Sequence, residues 1–232
     1  MRGEALILFS GGIDSTTALY WAKRKFDRTT AVIFSYGQKH RIEVDFALRI
    51  AKTIGAPTIS IAIPLDEILT SALLDPDLDI PISLATAKNK TGVPLTYVPF
   101  RNGIFLAIAA ALAESRGSRH LVTGFNCIDT PDYPDTTRRF TRNMQQAINS
   151  GTSAVLTGRK IRIHTPLIGM TKSEIIRFGL DLNVDFSYSI SCYRGKEIPC
   201  HRCPSCDIRQ NAFVQLGVAD PLEERIKKEK EK

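Results

Sequence analysis

No stretch of these 232 residues is long and apolar enough to cross a membrane as a helix. The N-terminus, MRGEALILF, places an acid ahead of a short apolar run and lacks a small-residue cleavage site. A strand explains it better than a secretion signal. The expected location is therefore the cytoplasm, with no membrane partner. Cysteine is scarce outside one segment: four of the five lie between Cys192 and Cys206, and Cys127 stands apart. Disulfides are not expected in the cytosol, so the cluster points to a metal or to redox chemistry. Cys127 reads as an ordinary buried thiol. There is no internal repeat, and no low-complexity segment before the C-terminal tail.

What is present describes an ordinary globular chain, with 43% hydrophobic and 24% charged residues. The length suits one large domain, or one domain with a small appendage. The net charge is +7, but the basic residues are spread along the chain. The one dense run, KKEKEK at the C-terminus, alternates with acids and reads as a solvated helix end or a frayed tail. Small anionic substrates fit this balance, and a direct nucleic-acid partner is not expected. The sequence leaves a homodimer open.

Apolar runs at 5–9, 30–34, 58–63, 120–124 and 161–164 read as strands. Helical spacing marks 15–25, 41–54, 102–115, 137–150, 171–180 and 207–216. Residues 64–97 read as a long loop with one short helix over 68–74. Thr171 and Glu174 have the spacing of a capping box. The alternation predicts an α/β fold: a mostly parallel, doubly wound sheet with helices on both faces. Ligands of such sheets sit beyond the carboxyl ends of the strands.

The first strand ends in Ser10-Gly11-Gly12-Ile13-Asp14-Ser15-Thr16. Two glycines allow a sharp turn and a close approach to a ligand. The helix behind them offers free N–H groups and a positive dipole end, together an anion site. Ser10, Ser15 and Thr16 add hydroxyl donors. Asp14 would repel a bare phosphate, so its presence implies a bridging Mg2+. No Gly-Lys-Ser/Thr follows, which excludes a Walker loop. The segment is similar to the SGGxDS loop of the N-type ATP pyrophosphatases (the PP-loop superfamily), which hold the β- and γ-phosphates while the α–β bond breaks.

Cys192, Cys200, Cys203 and Cys206 are spaced to wrap one tetrahedral ion. Four sulfurs close the coordination shell, so Zn2+ would be structural, and an iron–sulfur cluster is the alternative. His164 and His201 are the rival ligands.

Several further segments extend the pattern: YGQKH (36–40), VPFRN (98–102), TGFN with Asp129 (123–129), YPD (133–135), TPLIGMTKSEI (165–175), SCY (191–193) and DIR (207–209). In this order the set resembles the 7-cyano-7-deazaguanine synthase family of the queuosine and archaeosine pathways, over nearly the whole chain. The resemblance implies an adenine nucleotide alpha hydrolase-like fold. It implies a PP-loop domain over 1–185, a four-cysteine zinc region with its helix over 186–220, and a charged tail over 221–232. It implies that ATP adenylates 7-carboxy-7-deazaguanine, that ammonia displaces AMP to give an amide, and that a second activation leaves the nitrile.

The loop residues 10–16, with Tyr36, Gln38 and Asn102, would then bind ATP. Asp14, Lys172 and Arg101 would be catalytic. Lys172 opens a helix, where the dipole does not favour a lysine, so it points to a phosphate; a surface lysine is the alternative. Arg101 suits a phosphate or a carboxylate, with a surface arginine and an Asn102 cap as the plain reading. His40 would shuttle a proton or be structural. Asp129, Tyr133 and Asp135 would hold the base; without the resemblance they read as an ordinary turn. The chain departs from the family at Phe100 and His201, where the family has glycine. It departs again at Pro131-Asp132, where the family has Ser-Gly, and at Thr136, where it has cysteine. The bulk of Phe100 and Asp132 leads us to expect an altered substrate pocket. Two rival readings are a tRNA-thiolating ligase on the same fold and an amide-forming ligase for another carboxylate. A zinc-ribbon nucleic-acid binder is a third, and it would not need the SGGIDS loop.

Overall fold

The computed structural model describes residues 1–39, 42–82, 88–90, 92–126 and 132–231. His40, Cys127, Asp129 and Pro131 lie outside the described residues. Five strands form one fully parallel sheet in the order β3-β2-β1-β4-β5: β1 (Glu4–Leu8), β2 (Arg28–Ser35), β3 (Thr58–Ala62), β4 (His120–Val122) and β5 (Arg162–His164). The strand order reverses between β1 and β4, and the crevice above that point is where such sheets bind ligands.

Alternation along the first strand explains both cores. Ala5, Ile7 and Phe9 enter one apolar cluster, while Leu6 and Leu8 enter the other. The first is covered by α1 (Ile13–Lys25), α2 (Ile42–Thr53), α6 (Lys172–Asp181) and α7 (Pro204–Leu216). The second is covered by α3 (Arg101–Arg116) and α4 (Arg138–Gly151), with the short α5 (Ala154–Thr157) following α4. A strand buried on both faces reads as an unbroken apolar run, which is why β1 was legible as ALILF. The capping box forms as expected: Thr171 Oγ1 accepts from the Glu174 amide, and the Glu174 carboxylate accepts from the Thr171 amide at 2.7 Å.

Two segments differ from their expected form. No helix covers 68–74; a single 3-10 turn spans Leu65–Glu67 instead. The Ala72 amide donates to the Leu95 carbonyl, and the Ser71 hydroxyl accepts from the Leu73 amide, so the groups a helix would pair are used elsewhere. α7 begins one turn before the expected Asp207, because Pro204 fits the first helical position, where its missing N–H costs nothing. The tail carries a helix, α8 (Pro221–Lys230), with Asp220 as its cap. Its lysines face solvent, as a solvated helix end should, but Leu222 and Ile226 are buried. The Arg225 guanidinium donates to the Ser187 carbonyl at 2.9 Å and lies over the Tyr188 ring. Those contacts keep that end docked rather than frayed. Among the described residues no helix is long and apolar enough to cross a membrane.

His164 does not approach the cysteines. Its Nε2 lies 3.1 Å from Nδ1 of His120, and the pair packs on Phe26. Burial and the neighbouring His120 and Arg162 pull the His164 imidazole down from 6.5 to about 4. The folded state therefore favours neutral His164. The stability this gives is complete above the unfolded pKa of 6.5 and drains away as the pH falls towards 4. Thermal melts across that window should show a falling midpoint, and His164→Asn should flatten the fall.

Candidate active site

The glycine loop is held in shape from within. Gly11 takes φ +78°, and a Cβ there would press to 3.1 Å on the Ala47 backbone. Ser15 is buried, and its hydroxyl donates to the Gly12 carbonyl at 3.2 Å and lies 3.1 Å from the Ser10 hydroxyl. Gly12 caps α1 and supplies no side-chain acceptor, so the first-turn amides keep their donors for a ligand. Gly124, just past β4, crosses this turn so closely that a Cβ would sit 2.7 Å from the Ser15 nitrogen. Any side chain there would push the loop out of place.

Lys172 reaches across from the start of α6 to Asp14 on α1, with Nζ 2.5 Å from Oδ1. Both side chains are largely buried, at 18% and 26% exposure. That pairing resolves the helix-dipole misfit: the lysine is held by a carboxylate beside the anion site rather than in free solvent.

A cavity of about 320 Å³ opens above the switch point. Ser10, Gly12, Ile13, Asp14, Ser15, Tyr36, Gln38, Arg101, Asn102 and Lys172 all contribute to its wall. Gly11 and Thr16 do not; Thr16 is fully buried, and its hydroxyl has no partner among the described residues. The Arg101 guanidinium donates to the Tyr36 hydroxyl at 3.0 Å. Burial raises the Tyr36 pKa despite that cation, so Tyr36 stays a neutral phenol. Gln38 Oε1 accepts from the Tyr36 amide at 2.7 Å and closes the turn around Gly37. Phe34 and Phe105 stack with centroids 4.2 Å apart, and with Phe125 they give the cavity a flat apolar side.

Two of the residues expected to hold the base stand elsewhere. The Asp135 carboxylate accepts from the Asn102 amide at 3.0 Å and so caps α3. The Tyr133 hydroxyl lies 2.6 Å from that of Thr96 and also bonds Tyr193. Neither residue lines the cavity, whereas Tyr193 does. Phe100 leaves the pocket unfilled: its ring lies over Gly103 and meets Phe140 edge-on. Asp132 pairs with Lys88 at 2.8 Å. Both positions where glycine was expected keep a glycine-like backbone, with φ 53° at Phe100 and 55° at His201. A left-handed residue with a Cβ costs roughly 1–2 kcal/mol. The chain path is thus retained and the bulk points outward.

Sequence reasoning gave no role to Glu43, Thr123, Tyr193 and Arg209, all in the wall. Tyr193 and Arg209 sit in the SCY and DIR segments. Arg209 is tied to Asp220 through two nitrogens and to the Ser189 carbonyl. Glu43 had one signal: an acid in the first turn of the helix that follows the carboxyl end of β2. Burial, which outweighs the pull of Arg101, raises its carboxyl to about 7.

The four thiols converge, with every sulfur within 4.8 Å of the others. Cys203 to Cys206 is 3.5 Å and Cys200 to Cys206 is 4.0 Å. Metal–sulfur bonds of about 2.3 Å at tetrahedral angles place sulfurs roughly 3.8 Å apart. The set therefore fits one ion, and a cluster of several irons would need the sulfurs spread wider. Cys192, Cys203 and Cys206 are buried in an apolar patch with Phe46, Ile80 and Ile190. Hydrogen bonds from Cys203 and Cys206 favour the Cys192 thiolate, and the same contacts push the Cys206 thiol up, so binding an ion here would release protons. The patch lies directly behind the glycine loop: the Ile190 carbonyl is 3.6 Å from where a Gly12 Cβ would be.

The profile described as "Queuosine biosynthesis protein QueC" matches residues 4–217. The 7-cyano-7-deazaguanine synthase of Acinetobacter baylyi is 38% identical over 223 residues, covering 95% of each chain. That of Persephonella marina is 41% identical over 221 residues, covering 93% of this chain and 94% of that one. Among solved structures, NMN synthetase from Francisella tularensis aligns with a TM-score of 0.49 and 17% identity over 97% of this chain and 82% of that one. A match that runs from the first strand to the end of α7 takes in the glycine loop, the Lys172 helix and all four cysteines together, and the chain belongs to the QueC family of queuosine biosynthesis proteins.

Proposed function

We propose that this chain is a carbon–nitrogen ligase that converts 7-carboxy-7-deazaguanine and ammonia to 7-cyano-7-deazaguanine, consuming ATP. The observation that carries this reading is a single cavity with two unlike kinds of lining. Its wall carries both free helix amides with the Asp14–Lys172 pair and an apolar part made by the Phe34–Phe105 stack and Tyr193. The first suits phosphates, the second a planar base.

A carboxylate is a poor electrophile, and adenylation gives it a good leaving group. The α1 amides and Ser10 bind the departing phosphates, and Lys172 adds positive charge where negative charge builds up. Asp14 would hold Mg2+, which supplies charge neutralisation between phosphates. Arg101, with its guanidinium beside Tyr36, would grip the substrate carboxylate. The four cysteines would hold Zn2+ as a cross-link behind the loop, and residues 1–185 and 186–220 would act as one body. His40 and Asp129 remain candidates for proton transfer and base recognition.

The test is to mix the protein with ATP, magnesium, ammonium and 7-carboxy-7-deazaguanine and to follow the base by mass spectrometry alongside AMP. Nitrile together with AMP is the expected result. Amide alone would retain the adenylation and refute the full synthase. No AMP and an unchanged base, from folded protein, would refute the substrate.

A further inference from the structure

The proposed conversion needs a group that accepts protons from nitrogen. Ammonia loses one proton on becoming an amide and two more on becoming a nitrile. The roles given to Asp14, Lys172 and Arg101 are all electrostatic, and none of them accepts a proton. Among the described residues, Asp14 and Glu43 are the carboxylates in the cavity wall. Asp14 is occupied by Lys172.

Glu43 stands apart from that pair. It lies in the first turn of α2, on the side of the cavity where Tyr36 and Arg101 meet. Among the described residues its carboxyl makes no hydrogen bond and no ion pair closer than 4.0 Å, although Arg101 is near enough to attract it. A half-buried carboxyl in the cavity wall, with no such partner, keeps its oxygens free to accept a proton.

We propose that Glu43 is a catalytic base that takes the proton from ammonia as it attacks the adenylated carboxylate. The nitrogen lone pair forms the new C–N bond while the carbonyl π pair moves to oxygen. The excess N–H proton passes to the Glu43 carboxylate. The oxygen pair then re-forms C=O, and the C–O bond to AMP breaks with its electrons leaving on AMP. This assignment rests on the synthase reading above.

The surroundings suit the task. Burial raises the Glu43 carboxyl and the Arg101 charge lowers it, with the balance at about 7. Tyr36 and Arg101 face it directly, and Asp135 acts on it at one remove, through Arg101. Tyr36 stays protonated because burial raises its pKa. A base with a pKa near the working pH is both available and strong enough to accept a proton. Its contribution is present when Glu43 is ionised, above about 7, and is lost as the pH falls below that.

The test compares wild type with Glu43→Gln and Glu43→Asp, each zinc-loaded. Two activities are read: carboxylate-dependent exchange of pyrophosphate into ATP without ammonium, and amide plus nitrile formation with saturating ammonium. Glu43→Gln should keep exchange within about threefold and lose nitrogen incorporation by about 10²-fold or more. The ratio of wild-type to Glu43→Gln rates cancels the titration of ammonia itself. It should climb from near one in acid to a plateau above about 7. Glu43→Asp, which keeps the carboxylate, should restore part of the rate and the same acidic limb. Incorporation by Glu43→Gln close to wild type, a ratio flat with pH, or equal losses in exchange and incorporation would each overturn the assignment. Should Glu43→Gln fail to fold, Glu43→Asp carries the test, and a profile without an acidic limb overturns it. Absence of exchange in the wild type would instead bring down the synthase reading itself.

Discussion

Lys172→Met lowers the rate of AMP formation by about 10²–10³-fold, the loss expected when one preorganised charge is taken from a developing anion. The substitution removes the cation paired with Asp14 beside the glycine loop and leaves Asp14 facing the phosphates without its partner. Both changes act in the same direction. The fold should tolerate the change, because α6 starts from the Thr171–Glu174 capping box rather than from Lys172. A lysine at that position also works against the helix dipole, so its removal costs the helix nothing. Steady-state AMP release together with a thermal melt checks this. Lys172→Arg should recover part of the rate, since it keeps the charge but not the compact ammonium. A Lys172→Met enzyme within a few-fold of wild type would show that the leaving phosphates are neutralised elsewhere.

Cys203→Ser has the second large effect. Cys203 is 1% exposed and belongs to the same apolar patch as Phe46 and Ile190. A structural zinc site contributes on the order of 10 kcal/mol of apparent binding energy in small domains. That equals the whole stability of a typical protein, about 5–15 kcal/mol. Loss of one ligand should therefore release the ion and loosen the cysteine segment and the start of α7. Metal analysis should find one zinc per native chain and much less in the variant, with a clearly lower melting midpoint. Because Ile190 backs Gly12, ATP affinity should fall as well. Native protein that melts normally without any bound metal would dismiss the cross-link. Bound iron with visible absorbance would replace zinc.

The large outlines were present along the chain. The apolar run ALILF, buried on both faces, announced a central parallel strand, and the turn chemistry of SGGIDS announced an anion site. Cysteine spacing announced a metal site, and the four sulfurs converge. The boundaries that shifted did so through local competition, as at Ser71, or through a favourable start, as at Pro204.

Site assignments fared differently where they depended on distant neighbours. The resemblance implied Asp135 as a ligand for a base, and its carboxylate caps the start of a helix more than thirty residues earlier. Lys172 and Asp14 lie 158 residues apart, and nothing local to either foretells their contact. Glu43 carried little signal because its chemistry comes from enclosure and from Arg101, supplied by another helix. By itself the sequence determined the strand–helix alternation, the loop that presents free amides, and the set of thiols that could hold a metal ion. These rest on period, backbone freedom and ligand spacing, which are properties of short segments. Only the tertiary structure decided which charges meet, which carboxyl becomes a candidate base, and that the cysteine patch braces the glycine loop. Those outcomes depend on burial and on distances through space, and folding alone sets both.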